Sequence, residues 1–359
     1  MAGTPDRPGG TEPGPNEPDY EVIGGVIDDQ PSGSTHTQPG AGSRPRTRGT
    51  LLMAAGEAWQ DARTSFASWQ FWLSCAVGVA LAWAMAAAMV AWGESNGWFQ
   101  ASVASALYLL MGAFLALTAA VLGTVWGFRH SQGTIPALLL AGALRGFALA
   151  ALAGAVLLMV GISVGGPPAL VAAAVVVIVL EAAMFGLIGT GARACFAAAA
   201  PGRALAAVVV AFLCLGNVAI TALLLPGTTG TDQASVPVNV ERDDSGRIVA
   251  YECVGDLRPV EVAHTERVAW LAAANPALIL GSIGADFVPP DNDLGWVLAG
   301  VQWAADGPSR DVPCLGGESS EGLAPSLPIG ITGLALQALA AALVLVPGRW
   351  LTARRARSS

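Results

Sequence analysis

Two ionisable side chains, Arg145 and Glu181, stand inside long runs of otherwise uncharged, apolar residues. A charge held in hydrocarbon is costly, so such residues pair, line a pathway or reach for the headgroups. Arg145 lies about nine residues from the start of one run and Glu181 about ten from the end of the next, so each sits roughly 14 Å deep in a helix. If the two runs are neighbours, as their short connection favours, three readings stay open. These are an ion pair that fixes helix register, a proton or ion relay through Glu181, and an Arg145 that snorkels to the headgroups.

Catalytic chemistry has little to work with. The chain contains no lysine, which excludes a Walker-type nucleotide loop and lysine Schiff-base chemistry. His36, His130 and His264 fall in three separate segments, so no histidine-rich metal site or histidine-dependent triad is expected. No GxSxG or HExxH motif occurs. The expectation is a non-enzyme with no metal and no cofactor of its own, whose acidic loop binds cations weakly at most. Of the five cysteines, Cys75, Cys195 and Cys214 lie in or beside apolar runs, whereas Cys253 and Cys314 share a polar loop. In an oxidising compartment the last two can pair and staple that loop; the alternative is two free thiols.

The elements that position these residues follow from composition. Hydrophobic residues make up 53% of the chain and charged ones 12%, and the mean hydropathy is +0.56, against about a quarter charged in soluble domains. Crossing about 30 Å of hydrocarbon takes about 20 apolar residues in a helix. Six stretches qualify, near 70–92, 101–126, 136–164, 169–191, 204–225 and 328–346, which predicts an all-α polytopic membrane protein. Arg44, Arg46, Arg48 and Arg63 precede the first stretch, Arg129 follows the second, Arg193 and Arg203 join the fourth to the fifth, and Arg349, Arg354, Arg355 and Arg357 follow the last. Basic residues beside spans are retained in the cytoplasm. This places both termini inside the cell membrane and residues 226–327 outside it.

Residues 1–50 are rich in Gly, Pro, Ser and Thr and read as a disordered cytoplasmic tail. No signal peptide is recognised, and the first span serves as its own insertion signal. Residues 51–69 place Leu52, Ala55, Trp59, Ala62, Phe66 and Trp69 at helical spacing, as in an amphipathic helix lying at the interface; the alternative is an extended first span. The loop 226–327 carries fifteen Asp or Glu against five Arg. Within it, residues 263–274 read as a helix ended by Asn275-Pro276, and the apolar run after it is too short to cross, so it is either re-entrant or packed on the spans. Residues 293–305 read as a second amphipathic piece, with Trp296 and Trp303 on one face as an interfacial anchor or a lid. Small residues such as Gly142, Gly146, Gly154, Gly186, Gly189 and Gly191 predict closely packed spans. Residues 347–359 read as a short basic tail.

This arrangement resembles the permease subunits of type 2 ATP-binding-cassette transporters, particularly actinobacterial ones, over residues 51–357. Three stretches carry the likeness: FRHSQGTIPALLLAG (128–142), GLIGTGARACFAAAAPGRALAAVVVAF (186–212) and HTERVAWLAAANPALILGSI (264–283). The Gly133-Thr134-Ile135 core matches the family's coupling segment, but the acidic residue that precedes it there is absent. The resemblance implies a homodimer or heterodimer of permeases, each engaging a separate ATPase that binds ATP and Mg, and export of a hydrophobic or amphipathic substrate. It further implies coupling through Arg129, His130, Gln132, Gly133 and Thr134, a relay around Trp59, and an outer gate at Trp270, Asn275 and Pro276. Membrane lipids are expected partners and nucleic acid is not. Two other functions fit the residues: a membrane-anchored binding or scaffold protein acting through its outer loop, and a gradient-driven transporter using Glu181.

Overall fold

The computed structural model describes residues 47–97, 103–130, 133–242, 248–288, 293–308, 312–319 and 327–358. The tail expected over 1–50 lies outside them as far as residue 46, and residues 47–50 open the first helix. The helices are α1 (Thr47–Phe66), α2 (Trp69–Ser95), α3 (Val103–Arg129), α4 (Ile135–Val164), α5 (Pro168–Cys195), α6 (Ala199–Ala211), α7 (Asn217–Leu224), α8 (Glu266–Ala272), α9 (Pro276–Phe287), α10 (Asp293–Asp306) and α11 (Ile329–Ser358). A π-helical turn, Phe212–Gly216, joins α6 to α7. Six helices are long and apolar enough to cross a membrane: α2, α3, α4, α5, the composite Ala199–Thr228 and α11. They correspond one for one to the six stretches expected from the sequence.

The most buried span is α5, packed against α3, α4, α6, α9 and α11. Glycines make this possible, because interhelical packing in hydrocarbon depends on close backbone approach. A Cβ on Gly127 would overlap the Gly186 carbonyl, one on Gly189 the Thr124 carbonyl, and one on Gly191 the backbone at Leu345. Gly142 and Gly146 sit against Ala182, Ala183 and Val179 in the same way. The arginine-bearing ends of the spans gather at what is here termed the basic end.

Helix α1 packs on the bundle through small residues. Its buried stripe is Ala54, Ala58 and Ala62, with Ser65, while Leu52, Met53 and Trp59 are exposed. The small residues lie against α4 and the large apolar ones point away from the bundle. This sorting suits a helix that packs on protein with one face and meets an apolar surround with the other.

Between the fifth and sixth spans the loop forms a hairpin that the sequence analysis did not anticipate. β1 (Thr229–Arg242) and β2 (Ile248–Ala263) pair antiparallel, from Thr229 opposite Ala263 to Arg242 opposite Ile248, with irregularities along the ladder. Cys253 and Cys314 form a disulfide, Cα atoms 5.6 Å apart, and Ser235 N–H donates to the Cys314 carbonyl. The 312–319 segment is thereby held against the hairpin. At its base, His264 Nε2 lies 3.2 Å from Asp232 Oδ2 and Nδ1 lies 3.0 Å from Glu266 Oε1.

After β2 the chain turns into α8, breaks, and leaves as α9 at a bend of 109°. The helix expected over 263–274 is shorter than read, because Ala263 still belongs to β2. Residues 347–359, expected as a tail, instead continue α11 to Ser358 through Pro347. α10 carries Trp303, 42% exposed; the side chain of Trp296 lies outside the described residues.

The glycine contacts generate the first prediction. Gly127→Leu drives a side chain into the α5 backbone and should cost about 1–3 kcal/mol or more. Gly56, with nothing within 4 Å of a built Cβ, should accept Ala with no loss. Melting of the detergent-solubilised variants checks both.

Candidate functional site

Two polar clusters stand inside the bundle. At the basic end, Arg145 is 3% exposed and its Nη2 lies 2.8 Å from Asp61 Oδ2 of α1. Its Nε donates to Ser65 Oγ at 2.9 Å and its Nη2 to the Asp61 carbonyl at 3.2 Å. Asp61 also faces the end of α3, with Oδ1 3.9 Å from His130 Nε2, whose Nδ1 lies 3.1 Å from the Trp126 carbonyl. One carboxylate therefore touches α1, α3 and α4 together. Across the α3–α4 turn, Arg349 of α11 donates to the Gly133 carbonyl. Gly133 has φ +130°, which favours glycine, and Thr134 is the N-terminal cap position of α4. Gln132 lies outside the described residues.

Arg145 and Glu181 do not pair, which corrects the expectation drawn from their matched depths. Ala182 and Ala183 face α4. Glu181, about 100° around the helix from Ala182, faces α11 instead. There Gln337 Nε2 donates to both carboxyl oxygens, at 3.0 and 3.1 Å, and to the Ala274 carbonyl at 2.9 Å. Height was legible from the sequence but azimuth was not.

The second cluster is built around the α8–α9 break. Asn275 caps α9 through Oδ1, which accepts from Ala277 N–H at 2.9 Å. Its Nδ2 donates to the Cys214 carbonyl at 2.7 Å and the Leu213 carbonyl at 3.4 Å. Both acceptors belong to the π-helical turn, whose altered ladder frees carbonyls that an α-helix would use. Glu181, Gln337, Asn217 and Asn275 are all 3% exposed or less. Pro276 follows at the first turn of α9, where a missing N–H costs nothing. Gln337 lies eight residues into α11, so the break sits about 12 Å inside the bundle. The pair α8–α9 thus reads as re-entrant, and Gly284, near the end of α9, is back beside Leu170 at the start of α5.

Of the residues expected at an outer gate, Asn275 and Pro276 come together at this tip. Trp270 does not join them: it is 48% exposed and donates from Nε1 to the Arg267 carbonyl. Asp61, Ser65, Gln337 and Arg349 were missed. Gln337 left a signal, as a polar residue inside an apolar run; Asp61 left none beyond its place on an amphipathic helix. Among the described residues no group of three or more His, Cys, Asp or Glu could hold a metal ion.

Over 143 residues the chain is 30% identical to the leucine–tRNA ligase of Stenotrophomonas maltophilia (strain R551-3), covering 35% of this chain and 16% of the ligase. So small a share of either protein does not carry the ligase's activity to this one. No family model matches the chain, and no solved structure matches it.

Removing one partner from a buried polar set costs more than removing both. Asn275→Ala leaves two span carbonyls unpaired and should cost about 1–3 kcal/mol. Gln337→Leu should destabilise through the stranded Glu181 carboxyl, and the double variant Glu181→Leu/Gln337→Leu should melt closer to the parent than Gln337→Leu does. Thermal unfolding in detergent measures this cycle; strictly additive losses would refute the coupling.

Proposed function

We propose that this chain is the permease subunit of an ATP-driven exporter, working as a dimer with a separately encoded ATPase. In this reading the basic end is cytoplasmic, as the retention of arginine beside spans favours, and the hairpin is outside, where the Cys253–Cys314 bridge persists. The observation that carries the reading is Asp61, which ties the interfacial helix to both the end of α3 and the body of α4. A push on the α3–α4 turn at His130, Gly133 and Thr134 is thereby passed to α1, around Trp59, and to α4 at once. The acidic residue missing from the turn has a counterpart in Asp61, supplied from a different helix.

At the far end, the re-entrant tip at Asn275 and Pro276 would act as the outer gate. Its hydrogen bonds to the fifth and sixth spans connect it to any helix movement begun at the basic end. The substrate would be hydrophobic or amphipathic, since the spans offer Ala, Val, Leu and Gly surfaces. A second reading, a gradient-driven transporter, is favoured by one observation: among the described residues Glu181 has no cation partner, its carboxyl facing a neutral amide.

Two variants separate the readings. Thr134→Trp, which leaves Gly133 in place, should leave the protein folded and the ATPase bound but abolish the dependence of transport on ATP hydrolysis; unchanged coupling contradicts the permease reading. Glu181→Gln should leave ATP-driven transport within severalfold of the parent, whereas its loss with assembly intact would favour the gradient-driven alternative.

A further inference from the structure

A groove of about 500 Å³ opens on the side of the bundle between α3 and the fifth span, with walls formed by Val121, Val125, Phe128, Ala206 and Val210. That volume lies within the range of ordinary ligand sites, ~300–1,000 Å³. Arg129 and Arg203 both line it. Each is exposed, and neither donates to a carboxylate or carbonyl among the described residues. Among the described residues no carboxylate lines the groove, and the hydroxyl in its wall, Thr124 Oγ1, is already committed to the Ala120 carbonyl at 2.9 Å.

Three other arginines at the basic end have partners. Arg193 donates to the Phe196 carbonyl, Arg355 to the Ala194 and Cys195 carbonyls, and Arg354 stacks on Trp350. Arg129 and Arg203 instead leave two guanidinium groups at the mouth of an apolar slot. The slot runs from Arg129 to Val121, eight residues or about 12 Å of helix. One leaflet of hydrocarbon is about 15 Å deep. Charge at the headgroup level and an apolar trough of nearly one leaflet's depth below it match a single lipid molecule.

We propose that this groove binds one anionic diacyl phospholipid of the leaflet at the basic end, its phosphate between Arg129 and Arg203 and an acyl chain along Val121, Val125 and Val210. Guanidinium groups take phosphate oxygens through paired donors, and basic pockets between spans select anionic headgroups. The inference rests on the membrane-spanning bundle and not on the ATPase reading.

Native mass spectrometry of the purified full chain, titrated with phosphatidylglycerol or with phosphatidylcholine of identical acyl chains, tests it. The parent should retain one phosphatidylglycerol in preference to phosphatidylcholine. Arg129→Gln and Arg203→Gln should each lower that preference about 5-fold, and together remove it. Val125→Trp, which fills the trough and keeps both charges, should lower retention of the lipid. Equal retention of the two lipids by the parent, or an unchanged preference in the folded double variant, overturns the proposal. Two further results would also overturn it: displacement of the lipid by inorganic phosphate alone, which would mean an ion site, and near-complete disulfide cross-linking between copies carrying Val125→Cys in membranes, which would mean that a second copy covers the groove.

Discussion

A helix break inside hydrocarbon is tolerated only where protein groups satisfy the backbone that the break exposes, and Asn275 with Gln337 meets that demand here. The amide of Asn275 reaches the Leu213 and Cys214 carbonyls, and that of Gln337 reaches the Ala274 carbonyl and the Glu181 carboxyl. Each side of the contact is costly alone. A π-helical turn leaves acceptors unused, a broken helix leaves an acceptor at its tip, and Glu181 is a carboxyl with no cation partner among the described residues. Together they form a connected polar set, so the re-entrant pair, the fifth span, α5 and α11 settle into one arrangement.

That arrangement needs α5 at the centre, and α5 can be central because its faces are sparing of side-chain volume. Gly186 and Gly189 admit α3, and Gly191 admits α11 at the backbone level. A helix surrounded on all sides has no outlet for a polar side chain. Glu181 is therefore tied to the Gln337 amide of α11, while Arg145 on α4 turns outward to Asp61 of α1. The two charges within the spans are thus used for different purposes: one fastens α1, the other the α8–α9 pair.

Much of this was legible in the sequence. The six spans and the break at Asn275-Pro276 follow from length, hydropathy and proline chemistry, while the return of the following apolar run was one of two readings left open. The pairing of Cys253 with Cys314 was one of two readings that their shared loop allowed. Partner choice did not follow, because Arg145 and Glu181 match in height while their directions around the helix depend on where glycines let neighbours approach. The hairpin was passed over although Val236, Val238 and Val240 alternate; Pro237 and the acidic residues around the alternation masked it. On α1 the small-residue face was passed over: close packing on α4 selects Ala54 and Ala58 beside Ala62, and sends Leu52 and Trp59 outward.

The proposed function depends on a mechanical link, α1, the α3–α4 turn and the body of α4 joined at Asp61, with the Asn275-Pro276 tip proposed as a gate at the other end of the same bundle. The most direct test is to solubilise the tagged full chain gently from its native membrane and identify by mass spectrometry what stays bound. The account predicts a stoichiometric ATPase with a nucleotide-binding loop, retained by the parent and reduced in Asp61→Ala. Its reproducible absence from intact, folded protein would contradict the account and shift the function to the outer loop.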